Sequence, residues 1–170
     1  YYHTKYKIPV QVIRNLPYKQ EAGYPEKAFK DRIKQNRKMI VLQGTGLNMD
    51  RGAEEAVLMM QFLQNTVLYI IGGGDVFEKL AGLIKDHHLE GKVFLLKKMP
   101  YEKLMEYTSL ADLGLSLDKN TNLNYVWSLP NKLFDYVRCR VPVLVSDRKL
   151  VAKFVKNNEI GFVTKTFDPM

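Results

Sequence analysis

The chain has 170 residues, a formal net charge of +8 from 26 Lys and Arg against 18 Asp and Glu, and 46% hydrophobic residues. That length supports one domain with a proper core, and the single cysteine, Cys139, excludes an internal disulfide and fits a reducing, cytoplasmic setting. No apolar run approaches the roughly 18–20 residues of a membrane span, nothing reads as a signal peptide, and the positive charge calls for an anionic partner.

Residues 7–15 place apolar side chains at Ile8, Val10 and Val12 and end at Asn15-Leu16-Pro17, which predicts a short entry strand and turn or a linker. Residues 1–17 are therefore set apart as an interdomain linker or entry strand, and 18–170 as the domain. Positions 18–37 read as polar loop with a brief helix near 28–33. A buried strand is predicted at 39–43, closed by Gly44-Thr45-Gly46, and a helix at 51–63 with Ala53, Ala56, Val57, Met60 and Leu63 on one stripe. A strand at 67–71 stops at Gly72-Gly73-Gly74-Asp75, and a helix follows over 75–87. Next come a strand at 92–96, a helix at 100–108 and a strand at 111–116. A loop leads to a helix at 130–138, a strand at 141–146, a helix at 149–157 and a last strand at 161–164. His87 and His88 are adjacent rather than one helical turn apart, so no shared metal is expected there.

Short apolar strands alternating with helices predict an α/β fold: a Rossmann-like open parallel sheet with helices on both faces. Ligands of such sheets bind outside the carboxyl ends of the strands. That rule gathers positions 44–51, 72–75, 97–101, 118–131 and 147–148 onto one rim.

The rim carries groups suited to a nucleotide sugar. Pro130 sits well in a helix's first turn, whose free amides and dipole attract anions. Asn131, Lys132 and Asp135 share one helix face at spacings of three and four, joining an amide, a cation and a carboxylate. Gly44-Thr45-Gly46 with Arg51-Gly52 reads either as a phosphate loop with a bidentate Arg or as a tight turn with a solvated one. Gly72-Gly73-Gly74 departs from the G-x-G-x-x-G spacing, so it is either a close backbone approach to ligand or an ordinary turn. Lys97-Lys98-Met99 flanks a base or pyrophosphate, or is merely solvated. Trp127 packs a sugar or base face, or serves as hydrophobic cover. No nucleophile triad or glycosidase carboxylate pair is evident.

Gly44-x-Gly46…Arg51-Gly52, "LYIIGGGDVFEKLAGLI", "GKVFLLKKMPYEKLMEYTSLADLGLSL" and "SLPNKLFDYVRCRVPVLVSD" together resemble the C-terminal half of a GT-B glycosyltransferase. The likeness is to the retaining family 4 of nucleotide-sugar-dependent transferases (glycosyl transferases group 1), over about residues 38–164. The resemblance implies a hexosyltransferase of the polysaccharide-biosynthesis type, whose donor domain this is. An N-terminal half would bind the acceptor. It implies that Gly44, Thr45, Gly46, Arg51, Asn131 and Lys132 hold the donor phosphates, that Asp135 holds the ribose, and that Lys98 and Met99 receive the base. Gly73, Gly74 and Trp127 would belong to the donor loops. Such enzymes usually need no metal or other cofactor, and the nucleotide sugar is a substrate.

Two departures stand out. The family's paired glutamates, with seven residues between them, are here Trp127 and Asp135, and the usual Gly before the Pro-Val strand is Arg140. The chain lacks an initiator Met and stops at Met170 just after a strand-like segment, so a larger protein, truncated here at both ends, is expected. The alternatives are a GT-B epimerase acting on a nucleotide sugar, and a degenerate domain that binds nucleotide or a partner without catalysis. An anionic membrane at its inner face, or a lipid-linked acceptor, fits the basic surface; nucleic acid rests on charge alone and is not expected.

Overall fold

A computed structural model of the chain describes residues 2–11, 16, 25–121 and 123–169. The apolar runs pair side by side because each can be covered on both faces. Strands β1 (Lys38–Gly44), β2 (Thr66–Gly72), β3 (Val93–Lys97), β4 (Leu113–Ser116), β5 (Val143–Ser146) and β6 (Gly161–Thr164) form one six-stranded sheet in the order β3-β2-β1-β4-β5-β6. All five ladders are parallel.

Because successive side chains of a strand point to opposite faces, the sheet divides its residues between two cores. Ile40, Leu42, Leu68 and Ile70 pack against α3 (Ala53–Met59) and α4 (Phe77–Asp86). Met39, Val41, Val67, Tyr69 and Ile71 face the other way, onto α2 (Lys27–Lys34), α5 (Tyr101–Leu110), α7 (Asn131–Arg138) and α8 (Lys149–Asn157). The rim loops run from β1 to α3, β2 to α4, β3 to α5, β4 through the short α6 (Leu123–Trp127) to α7, and β5 to α8.

Strand order reverses between β1 and β4, where parallel α/β sheets open a crevice. Here the crevice has a physical wedge. β1 and β4 pair only at Ile40↔Leu113 and Val41↔Gly114. Beyond that point the buried Tyr136 hydroxyl accepts from the Gln43 N–H at 3.3 Å and donates toward Leu115 O at 3.1 Å. Its ring lies against Gly114, where an added Cβ would come within 2.6 Å. One side chain of α7 thus joins two strands that no longer join each other.

Three helices end alike. After α4, α7 and α8 the chain turns through His88, Arg140 and Glu159, with φ of 53°, 57° and 52°. At each end the next residue reaches back five positions: Leu89 N–H to Ile84 O, Val141 to Tyr136 and Ile160 to Val155. These are Schellman caps, in which a left-handed residue closes the helix and an apolar one follows it inward. The pair His87-His88 therefore belongs to a helix end.

Several element boundaries differ from expectation, one of them at such a turn. The 51–63 helix is shortened to Ala53–Met59, the 111–116 strand starts at Leu113, and the 141–146 strand starts at Val143 because Val141 belongs to the cap. The 118–127 loop contains α6. Residues 2–6 form a short helix, α1 (Tyr2–Tyr6), and 7–11 carry no strand. The remainder of the predicted entry strand, 12–15, and the 18–24 loop lie outside the described residues.

The Arg140 conformation generates a stability test. A left-handed non-glycine residue carries roughly 1–2 kcal/mol of steric penalty, and glycine's extra unfolded-chain entropy offsets about 0.5–1 kcal/mol of any gain. Arg140→Gly should therefore stabilise the fold by about 0.5–1 kcal/mol in urea denaturation.

Candidate functional site

The rim loops enclose a cleft of about 540 Å³ at the switch point, within the usual range for a small-molecule site. Its wall includes Gln43, Gly44, Thr45, Gly46, Arg51, Lys98, Met99, Tyr101, Asn131, Lys132 and Asp135. Nine of the twelve residues singled out as candidates thus meet in one place: Gly44, Thr45, Gly46, Arg51, Lys98, Met99, Asn131, Lys132 and Asp135.

Loop docking sets this geometry. Leu47 N–H donates to Gly73 O at 2.8 Å and Met49 N–H to Asp75 Oδ1 at 3.2 Å, which ties the β1–α3 loop to the β2–α4 turn. Gly74 permits the approach, since a Cβ there would fall 2.0 Å from Leu47 O. Gly73 backs the Lys98 side chain, whose Cε would lie 3.3 Å from an added Cβ. Neither glycine is on the cleft wall. At Gly52 (φ 74°) an added Cβ would lie 2.4 Å from the Leu117 Cβ, which fixes the entry to α3. Trp127 also stands apart from the wall, 53% exposed. The Lys149 ammonium lies 4.8 Å from its ring centre.

The electrostatic centre is Asp118, just after β4 and fully buried. Arg51 Nη1 lies 2.9 Å from its Oδ1, Arg148 Nη2 3.0 Å from Oδ2, and Lys132 Nζ 3.8 Å from Oδ1. Burial pushes the Asp118 carboxyl up, but Lys132, Arg51 and Arg148 together more than offset this and hold it below the usual carboxylate range. Burial lowers the Lys132 pKa, and its attraction to Asp118 opposes that. One carboxylate faces three cations, so positive charge is left over. The buried Nε–H groups of Arg51 and Arg148 have no partner among the described residues. Pro130 caps α7 without a side-chain hydrogen bond, and while Leu133 N–H donates to Pro130 O at 3.0 Å, the Asn131 and Lys132 amides have no partner among the described residues. This end of the cleft offers hydrogen-bond donors and cations.

The other end reverses the pattern. Asp135 Oδ2 accepts from Gln43 Nε2 at 3.0 Å, and Oδ1 accepts from the Tyr101 hydroxyl at 2.7 Å. Gln43 is oriented in turn by Thr108, whose hydroxyl donates to its Oε1 at 2.6 Å. Burial raises the Asp135 pKa, and the hydrogen bonds from Tyr101 and Gln43 only partly oppose this. Among the described residues, no group of three or more His, Cys, Asp or Glu is placed to hold a metal ion, and no helix is long and apolar enough to cross a membrane.

Sequence reading named the 118–131 and 147–148 loops but did not single out Asp118 or Arg148, and it passed over Gln43 and Tyr101. Gln43, the polar residue ending the β1 apolar run, and Asp118, the acid just after β4, were the available signals.

Two tests follow. Gly46 is a rim glycine where a Cβ would meet nothing within 4 Å, so Gly46→Leu should leave the melting temperature nearly unchanged while obstructing the phosphate end. Gly74→Ala should destabilise the fold by about 1–3 kcal/mol, because the obstacle is backbone. The second test concerns Asp135. A carboxylate with a raised folded pKa favours the folded state most below its unfolded pKa and loses that contribution as pH rises through the folded value. Its ionised form therefore burdens the fold at neutral pH. Asp135→Asn, with the Gln43 amide turned over, should raise stability at pH 7, and urea denaturation at lower pH should show the gain shrinking.

Among solved structures, the chain is similar to sucrose-phosphate synthase from Thermosynechococcus elongatus, with TM-score 0.66 and 18% identity over 99% of this chain and 44% of that one. It is similar to HepE of Anabaena in complex with UDP, with TM-score 0.68 and 14% identity over 86% and 42% of the two chains. It also resembles WaaG, a glycosyltransferase involved in lipopolysaccharide biosynthesis, with TM-score 0.62 and 17% identity over 81% and 36%. At these identities the likeness is one of fold, the Rossmann-like half of GT-B glycosyltransferases, and the chain spans less than half the length of each. No curated protein matches the sequence. The family model described as Glycosyl transferases group 1 matches residues 24–170, and the chain belongs to that family.

Proposed function

We propose that this chain is the donor-binding part of a glycosyltransferase that moves a sugar from a UDP- or GDP-sugar to an acceptor, with retention at the anomeric carbon. The observation that carries the reading is the polarity of the cleft. Arg51, Lys132 and the α7 amides donate at one end, while Asp135 accepts at the other. A nucleoside diphosphate has the matching order of groups, with ionised phosphates that only accept and ribose hydroxyls that can donate. The occurrence of UDP in the HepE complex supports the choice of ligand class.

In this reading Gly44, Thr45, Gly46, Arg51, Asn131 and Lys132 hold the diphosphate. Asp135 holds the ribose, and Lys98 with Met99 meets the base. Arg51 and Lys132 stabilise negative charge on the departing diphosphate, the role a metal ion has in other transferases. A separate half of the protein binds the acceptor. A lipid-linked acceptor at the inner face of an anionic membrane suits the net charge of +8.

A non-catalytic nucleotide-binding module is the second reading. Trp127, where the family resemblance expects an acid toward the donor sugar, favours it, because that side chain stands away from the cleft wall.

Calorimetric titration with UDP, GDP, ADP and their nucleosides tests the proposal. One diphosphate should bind selectively, and Arg51→Ala should weaken it about tenfold or more while changing nucleoside affinity little. Asp135→Ala should weaken nucleoside and diphosphate alike. Absence of binding by every nucleotide, or equal losses of nucleoside and diphosphate on Arg51→Ala, would overturn the assignment. Sugar transfer by the full-length protein separates the catalytic reading from the non-catalytic one.

A further inference from the structure

Asp135 does not face the cleft alone. Its side chain is buried, at 8% exposure, and Gln43 already donates to Oδ2 from the interior at 3.0 Å. From the cleft side the Tyr101 hydroxyl donates to Oδ1 at 2.7 Å. Tyr101 opens α5, lines the cleft and is 42% exposed. Its phenol oxygen and the Asp135 carboxylate therefore line the cleft together.

A phenol has one proton and two lone pairs. The proton is committed to Asp135. Burial, followed by the hydrogen bond to that carboxylate, pushes the hydroxyl up to about 12, so it stays protonated at neutral pH. Arg138 Nη1 donates to the same oxygen at 3.3 Å, which fixes its position and uses one lone pair. The remaining lone pair is an acceptor, next to a carboxylate that is also an acceptor. A hydroxyl can satisfy such a pair; an ionised phosphate has no proton to give it.

We infer that Tyr101 is a specificity-determining residue of the cleft: its hydroxyl oxygen, held between Asp135 and Arg138, accepts a hydrogen bond from a ribose hydroxyl and so selects ribonucleotides over deoxyribonucleotides. The inference rests on the donor reading above, in which this end of the cleft receives the ribose. A site arranged to accept from a hydroxyl penalises an analogue that lacks it, because its acceptors are then left dry.

The test compares wild type and Tyr101→Phe, with the melting temperature of each as a folding control. Affinities are measured for the diphosphate that binds the wild type and for its 2′-deoxy and 3′-deoxy forms. The wild type should discriminate against at least one deoxy form by about tenfold. Tyr101→Phe should lose most of that preference, by weakening the ribonucleotide while leaving the corresponding deoxy form nearly unchanged. Equal weakening of both forms would overturn the inference. So would tighter ribonucleotide binding, which would make Tyr101 a plug over Asp135. A wild type that binds no nucleoside diphosphate would overturn the donor reading and this inference with it; binding with an unaltered preference in Tyr101→Phe would overturn the inference alone.

Discussion

The buried carboxylate of Asp118 holds the rim together. Arg51 comes from the β1–α3 loop, Lys132 from the first turn of α7 and Arg148 from the β5–α8 junction, and all three converge on it. Breaking such a buried cluster by removing its centre costs about 3–5 kcal/mol, since the stranded charges lose their partner. Arg148 also donates to Tyr125 O at 2.7 Å, and the Arg51 guanidinium lies 4.2 Å from the Tyr125 ring centre. Both contacts pin α6 to the same cluster. Asp118 cannot neutralise three cations, and the surplus positive charge lies where the proposed reading puts the diphosphate.

A single helix organises both ends of the cleft. Lys132 and Asp135, three positions apart on α7, supply the donor and acceptor poles. Tyr136, next along, bonds into the gap between β1 and β4 and fixes the helix against the sheet. The chemistry of the cleft therefore does not depend on the rim loops alone. Its polarity is set by residues whose neighbours in sequence are buried in the core.

The sheet was legible because each strand is a run of apolar residues ended by glycine or a polar residue, and the helices have regular stripes. The last helix and strand were read to the residue. The 141–146 strand lost its first two residues because Arg140 closes α7 in a left-handed turn without the glycine that usually marks one. α6 was hidden because five residues, Leu-Asn-Tyr-Val-Trp, carry no period long enough to recognise. Of the cleft, the residues with distinctive local patterns were found: Gly44 to Gly46, Arg51, and the Asn131, Lys132, Asp135 face. Asp118, Arg148, Gln43 and Tyr101 matter through partners between 14 and 92 positions away, and no local pattern encodes such distances. Gly73, Gly74 and Trp127 had distinctive sequences, yet the two glycines serve loop packing and Trp127 lies at the surface.

The most direct test of a polarised cleft is a crystal structure of the chain with the nucleoside diphosphate it binds most tightly. The account predicts phosphate oxygens beside Arg51, Lys132 and the α7 amides, with the ribose hydroxyls toward Asp135 and Tyr101. A nucleotide bound in the reverse direction, or one seated away from Asp118 and its three cations, would contradict it.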